Sequence, residues 1–254
     1  MELGSEQVDF FQKNGFLVVE NLLEEGELAA LRSRVDLVAS GDAVHIDSAQ
    51  LQVEPDVEAG KEKTPETYAA SLRKMSHVAF HDDVFMSHAR NPKVLDVVES
   101  LLGPDLKLYQ DQVFMKPPRV GSRQRYHQDM PLGFQIDPPD MVTCWAALDD
   151  ATIENGCLWM LPGTHLNGVI DKAVWEEMEE KALRGDLGEE VPIPLKAGSC
   201  GFHHGLTLHS SRPNRTDRSR RGYATHYVSG RCRYTGEKPT DAVLVRGKEY
   251  EGRI

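Results

Sequence analysis

A mainly β fold of the α+β kind, with helices gathered ahead of an antiparallel core, is what the order of signals along this chain predicts. Three observations carry it. Helical periodicity dominates the residues before Gly103, short apolar strands split by turn residues dominate after it, and no repeat, low-complexity tract or Gly/Ser-rich linker divides the chain. Helices followed by a run of strands suit helical support around a β core. With 254 residues, 40% of them apolar, the chain can bury such a core without staples. We expect one domain over 1–254: a helix-rich support over 1–103, the strand core over 104–230 and a tail over 231–254.

Taken in order, Ser5 can cap a short helix over 6–13, which Gly15 ends. Phe16-Leu17-Val18-Val19 reads as a buried strand. Leu28, Leu31, Val35 and Leu37 recur at helical spacing among charges, predicting a helix over 24–38. From about 40 to 66 the chain is polar and acidic, which predicts a long surface excursion. Asn91 as N-cap, Pro92 in the first turn and Gly103 just past the end mark a helix over 91–102. Strands follow at 106–116, 126–129, 141–149, 157–161, 198–203, 206–210 and 220–229, with one more helix at about 172–184.

Twenty-nine basic against forty acidic residues give a net charge of −11, so nucleic acid is not an expected partner. The N-terminal MELGSEQVDFFQKNG has no basic region followed by an apolar stretch, and no run approaches about 18 apolar residues. No membrane partner is expected either. The chain does not end in an SKL-like tripeptide, which leaves the cytoplasm as the expected compartment. Cys144, Cys157, Cys200 and Cys232 lie far apart with no CxxC, and are expected as buried free thiols.

The chemistry is concentrated in Tyr126-His127-Gln128-Asp129. Side chains at i and i+2 of a strand share a face, so His127 and Asp129 can converge on one point. With a second histidine and open positions, that set suits non-haem Fe(II) that activates oxygen. The second histidine must come from a distant strand, and the candidates lie in Gly201-Phe202-His203-His204-Gly205-Leu206-Thr207-Leu208-His209. His209, at the end of an apolar run, is the best placed to face inward. His203 and His204 read as a strand-end pair satisfied by solvent or backbone, and His226 as a core or rim histidine. His45, His77, His81, His88 and His165 have no partner at ligand spacing.

Arg220 lies eleven residues after His209. A guanidinium inside a β core needs a carboxylate, which it can hold with two parallel hydrogen bonds. Gly222 and Ala224, in the same register, would leave room for one, whereas Arg221 has the opposite parity and belongs on the outer face. Lys116, Arg119, Arg123 and Arg125 precede His127 with no acid among them. Between His209 and Arg233, seven arginines (212, 215, 218, 220, 221, 231, 233) stand against Asp217 alone. Such local positive charge draws an anionic occupant, a dicarboxylate or a phosphorylated molecule.

These segments resemble a known family once others are added. They are Phe11-Gln12-Lys13-Asn14-Gly15-Phe16-Leu17-Val18, Phe114-Met115-Lys116-Pro117-Pro118, Trp145-Ala146-Ala147-Leu148-Asp149-Asp150-Ala151-Thr152, Glu154-Asn155-Gly156-Cys157-Leu158, Leu161-Pro162-Gly163-Thr164-His165 and Leu208-His209-Ser210-Ser211-Arg212-Pro213-Asn214. In order and spacing, from about residue 6 to 230, the chain resembles the phytanoyl-CoA dioxygenase (PhyH) family of Fe(II)- and 2-oxoglutarate-dependent oxygenases. The resemblance implies a double-stranded β-helix, a cupin-like jelly roll with the iron at its mouth. His127, Asp129 and His209 match the family's iron ligands, and Arg220 the arginine that grips the distal carboxylate of 2-oxoglutarate. Ser211 matches a serine assisting it, Trp145 a tryptophan lining the co-substrate, and Lys74 a lysine near it. Gln112 or Gln110, sharing strand parity with Lys116, is expected to point into the same pocket.

Asp129 matters for the reaction, because related halogenases lack this carboxylate. Its presence implies oxygen chemistry: O2 and 2-oxoglutarate give succinate and CO2 while an unactivated C–H of a small organic substrate is hydroxylated. Asn155-Gly156 and Pro162-Gly163 read as turns, and Asn214 as a turn or ligand-supporting residue. Arg119, Arg123 and Arg125 read either as a CoA phosphate site or as a solvated loop. Residues 40–66 and the helix at 172–184 are expected to flank the mouth and set specificity. Two other readings use the same ligands: a jelly-roll binding or regulatory protein that holds metal without turnover, and a zinc-dependent hydrolase. The second leaves Arg220 unexplained.

Overall fold

In a computed structural model, the structure describes residues 2–61, 66–130, 135–236 and 241–254. The first helix, α1 (Ser5–Asn14), is capped by Gly4, so Ser5 is its first helical residue rather than its cap. Gly15 ends it at φ +80°, and a side chain there would place its Cβ 2.4 Å from Thr207 Oγ1. β1 (Phe16–Val19) and α2 (Glu25–Ser40) follow. α2 buries Leu28, Leu31, Val35 and Val38, while Leu37 turns outward.

The acidic stretch at 40–66 differs from the surface excursion predicted for it; residues 62–65 lie outside the described ones. It contains β2 (Leu51–Val53) and α3 (Pro55–Glu58), and β2 pairs with β3 (Leu72–Ser76). Leu51 and Val53 pack on the core, and Glu54 is wholly buried. A three-residue alternation is too short to stand out from its polar neighbours. α4 (Asp83–Ala89) was also not predicted; Asp82 caps it by accepting from Val84 N at 2.9 Å. α5 (Pro92–Leu102) has the predicted ends, with Asn91 Oδ1 accepting from Lys93 N at 2.8 Å.

The remaining strands are β4 (Leu106–Lys116), β5 (Gln124–His127), β6 (Ile136–Asp137), β7 (Met141–Ala147) and β8 (Leu158–Met160), then, after α6 (Trp175–Arg184), β9 (Val191–Ile193), β10 (Cys200–His204), β11 (His209–Ser211), β12 (Arg220–Ser229), β13 (Arg233–Tyr234) and β14 (Val243–Arg246). An eight-stranded sheet runs β1-β10-β7-β12-β4-β3-β2, with β14 also on β4. A four-stranded sheet runs β5-β11-β8-β9. Together they form the jelly roll.

The alternation of β12 explains where the core and the cavity lie. Tyr223 and Tyr227 join the cluster that contains Leu31, Phe85 and Val97 from the helices. Arg220, Ala224 and His226, of the other parity, line a cavity between the sheets. The first 103 residues are more than support, since they supply β1, β2 and β3 to the large sheet, and the tail supplies β13 and β14. All four cysteines are free and buried. Among the described residues, no helix is long and apolar enough to cross a membrane.

Candidate metal centre and co-substrate pocket

His127 closes β5 and His209 opens β11, and the two residues face each other in the pairing of these strands. Asp129 lies just beyond β5, which starts and ends two residues earlier than predicted, yet its carboxylate still reaches the same point. One ligand atom from each of the three lies within 4.8 Å of the others. Nε2 of His127 is 3.5 Å, and Nε2 of His209 3.6 Å, from Asp129 Oδ1.

The backbone fixes the tautomers. His127 Nδ1–H donates to Arg125 O at 2.8 Å and His209 Nδ1–H to Thr207 O at 3.0 Å. A carbonyl can only accept, so each ring carries its Nδ1 proton there and turns Nε2 to the centre, the nitrogen that metal ligation uses. The other carboxylate oxygen, Asp129 Oδ2, is already engaged. Thr143 Oγ1–H donates to it at 3.0 Å, His203 Nε2 lies at 3.1 Å, and Thr143 Oγ1 meets His226 Nδ1 at 2.9 Å. Oδ1 is thereby left for a cation.

Burial alone would raise the Asp129 pKa, but His209, His127 and His203 hold it well below the usual carboxylate range. Burial, then His127, push His209 well below the ordinary imidazole value. One anionic oxygen and neutral imidazole nitrogen on one side of a point fit Fe(II), with other positions open to ligands. Among the described residues, no other group of three His, Cys, Asp or Glu has this geometry.

His203 departs from the reading as a solvent-satisfied strand-end residue. It is 2% exposed and bound to Asp129, because β10 pairs with β7 and turns it inward opposite Thr143. His204 does satisfy the backbone, accepting from Leu206 N at 3.1 Å. His226 lines the cavity. Thr143→Val should weaken Fe(II) binding by roughly 10- to 100-fold, as loss of a ligand-orienting hydrogen bond does. Competition against a chelator measures this, and an unchanged affinity would show that Thr143 does not hold Asp129.

A cavity of about 500 Å³ reaches both the triad and Arg220. Arg220 opens β12 at 2% exposure, and its Nε and Nη1 have no hydrogen-bond partner among the described residues. Burial lowers the guanidinium pKa to about 10, which still leaves it charged at neutral pH. A buried cation with unmet N–H groups is costly, and a ligand's carboxylate offers the matching pair of acceptors. Trp145 stands with its ring centroid 5.3 Å from the guanidinium carbon. It occupies the space at Gly222, where a Cβ would fall 1.9 Å from the ring.

Ser211, Lys74, Gln110 and Gln112 line the same cavity, so every predicted co-substrate residue reaches it. Burial, then Arg73, lower the Lys74 pKa. The sequence reading did not single out Gln52, Glu54, Arg73 or Gln124 as site residues, which also line it. Arg221 turns the other way, bonding Asp149 at 2.8 Å and Asp36 at 2.7 Å.

The three arginines ahead of His127 are answered by acids. Arg119 forms a two-pronged pair with Asp217 at 2.7 and 2.8 Å. Arg123 pairs with Glu179, and Arg125 lies 3.7 Å from Glu179 and 3.9 Å from Glu176. Both glutamates belong to α6, distant in sequence from the arginines they meet. Asn214 is a turn residue: its Nδ2 donates to Lys116 O at 2.9 Å and Arg218 O at 2.7 Å.

A facial set of metal ligands and a grip for a carboxylate inside a jelly roll define the class of non-haem, metal-dependent oxygenases. The chain belongs to the phytanoyl-CoA dioxygenase (PhyH) family, whose model matches residues 11–222. It is 30% identical to the peroxisomal phytanoyl-CoA dioxygenase of Homo sapiens, over 92% of this chain and 71% of that protein. A phytanoyl-CoA dioxygenase of Arabidopsis thaliana is 28% identical, over 91% of each. Among solved structures, EctD from S. alaskensis with 2-oxoglutarate and 5-hydroxyectoine aligns at TM-score 0.76 and 22% identity, over 99% of this chain and 86% of that one. The epimerase SnoN with Fe3+, alpha ketoglutarate and nogalamycin RO aligns at TM-score 0.75 and 21% identity, over 95% and 98%. At these identities the likeness is one of fold.

Proposed function

We propose that the protein is a 2-oxoglutarate-dependent hydroxylase. His127, Asp129 and His209 would hold Fe(II), and Arg220, with Ser211, Trp145, Lys74 and Gln112 on the same cavity, would hold 2-oxoglutarate. An unactivated C–H of a small organic molecule is hydroxylated, with release of succinate and CO2. The observation that carries this reading is buried Arg220, its N–H groups unmet, on the same cavity as the triad. Neither a metal-holding protein without turnover nor a zinc hydrolase needs that arginine.

When bound, iron and 2-oxoglutarate supply the oxidising power with O2. The chain's own part is to fix three ligand atoms on one side, neutralise the co-substrate's far end and keep the site enclosed. The acids engaging Arg119, Arg123 and Arg125 argue against a CoA phosphate at those residues and favour a substrate held within the cavity. Gln52 and Glu54, from the acidic segment, lie on the cavity wall, which supports that segment as a determinant of specificity. We propose the cytoplasm as the compartment, in keeping with four buried free thiols, and neither nucleic acid nor membrane as partner.

Anaerobic titration of metal-free protein with Fe(II) and 2-oxoglutarate tests the proposal. A visible charge-transfer band that requires both is expected, followed by succinate release in air with candidate small molecules. Iron binding without the band would move the reading to a metal-holding protein without turnover.

A further inference from the structure

Arg220 does not stand alone at its end of the cavity. Lys116, the last residue of β4, is its direct partner across the β4–β12 pairing, is 5% exposed and lines the same cavity. Space is kept for its stem by two glycines. A Cβ at Gly121 would lie 2.7 Å from Lys116 Cβ, and one at Gly156 would lie 2.8 Å from Lys116 Cδ. Asn214 ties the backbone of Lys116 to that of Arg218, two residues before Arg220. The backbones that carry the two basic side chains are therefore held in fixed relation.

An ammonium has three donors. Among the described residues, Lys116 Nζ has one hydrogen-bond partner, the Ser122 carbonyl, and forms no ion pair. The nearby carboxylate of Glu54 has Oε2 occupied by Ser122 N at 3.2 Å and Ser122 Oγ at 2.6 Å, with Arg73 Nη1 at 3.5 Å, while its Oε1 has no hydrogen-bond partner among the described residues. The charged groups around Lys116 are thus Arg220 from β12, Arg73 from β3 and Glu54 ahead of α3. Two buried nitrogenous side chains with open donors share one wall.

We propose that Lys116 is a second partner of the distal carboxylate of 2-oxoglutarate, beside Arg220, and that it takes up one proton from solvent as the co-substrate binds. This rests on the co-substrate reading above. Burial first, then Arg220 and Arg73, lower the Lys116 pKa to about 6, so in the free protein the amine is neutral at pH 8. An arriving carboxylate reverses the balance, because it offers acceptors and negative charge to both side chains. The step is Lys116–NH2 plus a solvent proton plus the dianion, giving the ammonium–carboxylate pair. No bond to carbon changes.

The sign of the pH dependence follows. Below about pH 6 Lys116 is already protonated, and affinity does not change with pH. Above it, the free protein must gain a proton to bind, so Kd rises about tenfold per pH unit until the complex itself deprotonates. Anaerobic calorimetry of the Fe(II)-loaded protein with 2-oxoglutarate, in buffers of different ionisation enthalpy, counts the protons. Close to one proton taken up at pH 8 is expected for the wild type. Lys116→Met should take up none, show a flat Kd across the same range and bind at least about tenfold more weakly at pH 6.

Loosening of the 117–123 loop by the substitution would raise Kd equally at every pH. The wild-type proton count does not depend on that variant folding perfectly. Binding of 2-oxoglutarate by the wild type with no proton uptake and a flat Kd would overturn the role of Lys116. No binding of 2-oxoglutarate at all would overturn the co-substrate reading beneath it.

Discussion

Asp129→Ala protein is expected to release no succinate above the level of the metal-free wild type. The substitution removes the one anionic ligand of the set and leaves His127 and His209 facing each other with ring centroids 4.2 Å apart. It also strips Thr143 and His203 of their shared acceptor. The fold should survive, because replacing a buried charge by a methyl group relieves desolvation. A thermal melt in the absence of metal separates loss of chemistry from loss of structure. Product formation at the wild-type rate by a well-folded Asp129→Ala protein would sink the assignment of the metal site.

Arg220→Ala should leave Fe(II) binding unchanged and raise the Kd for 2-oxoglutarate by about 2–4 kcal/mol, or roughly 30- to 1000-fold. Arg220 is not among the ligand residues: it opens β12, six residues before His226, the register partner of Thr143. The two variants therefore fail in different ways: one does not organise iron, the other does not retain the co-substrate on it. Titration of the visible band against 2-oxoglutarate reads the second directly. A change of less than threefold would mean that another group holds the distal carboxylate.

The features legible in the sequence are those set by local spacing. β4 and β12 have the predicted bounds, because long runs rich in apolar residues end at unmistakable turns. The i, i+2 spacing of His127 and Asp129 works even though Asp129 has left the strand. Thr143 and His203 were missed as supports of Asp129, since they arrive through the β7–β10 pairing, and nothing local marks a threonine or a histidine for that task. Glu54 was hidden for a different reason: inside an acidic stretch, a buried carboxylate has the same letters as a solvated one. For the arginines at 119, 123 and 125 the sequence left two readings open, a phosphate site or a solvated loop. A count of charge along the chain does not see Glu176 and Glu179, which return from α6 to Arg123 and Arg125, or that Asp217 is the partner of Arg119.

The opposed placement of His127 and His209 on neighbouring strands has a consequence for assembly of the enzyme. A strand shifted by one residue turns every side chain to the other face, so a misregistered β5 or β11 would carry its histidine out of the cavity. The iron site is therefore complete only where that pairing is correct. A chain caught partway through folding, or paired wrongly, lacks the full set of ligands and has little means of holding a reactive metal. The strand register thus acts as a safety interlock, confining oxygen activation to molecules whose interior is already built to contain it.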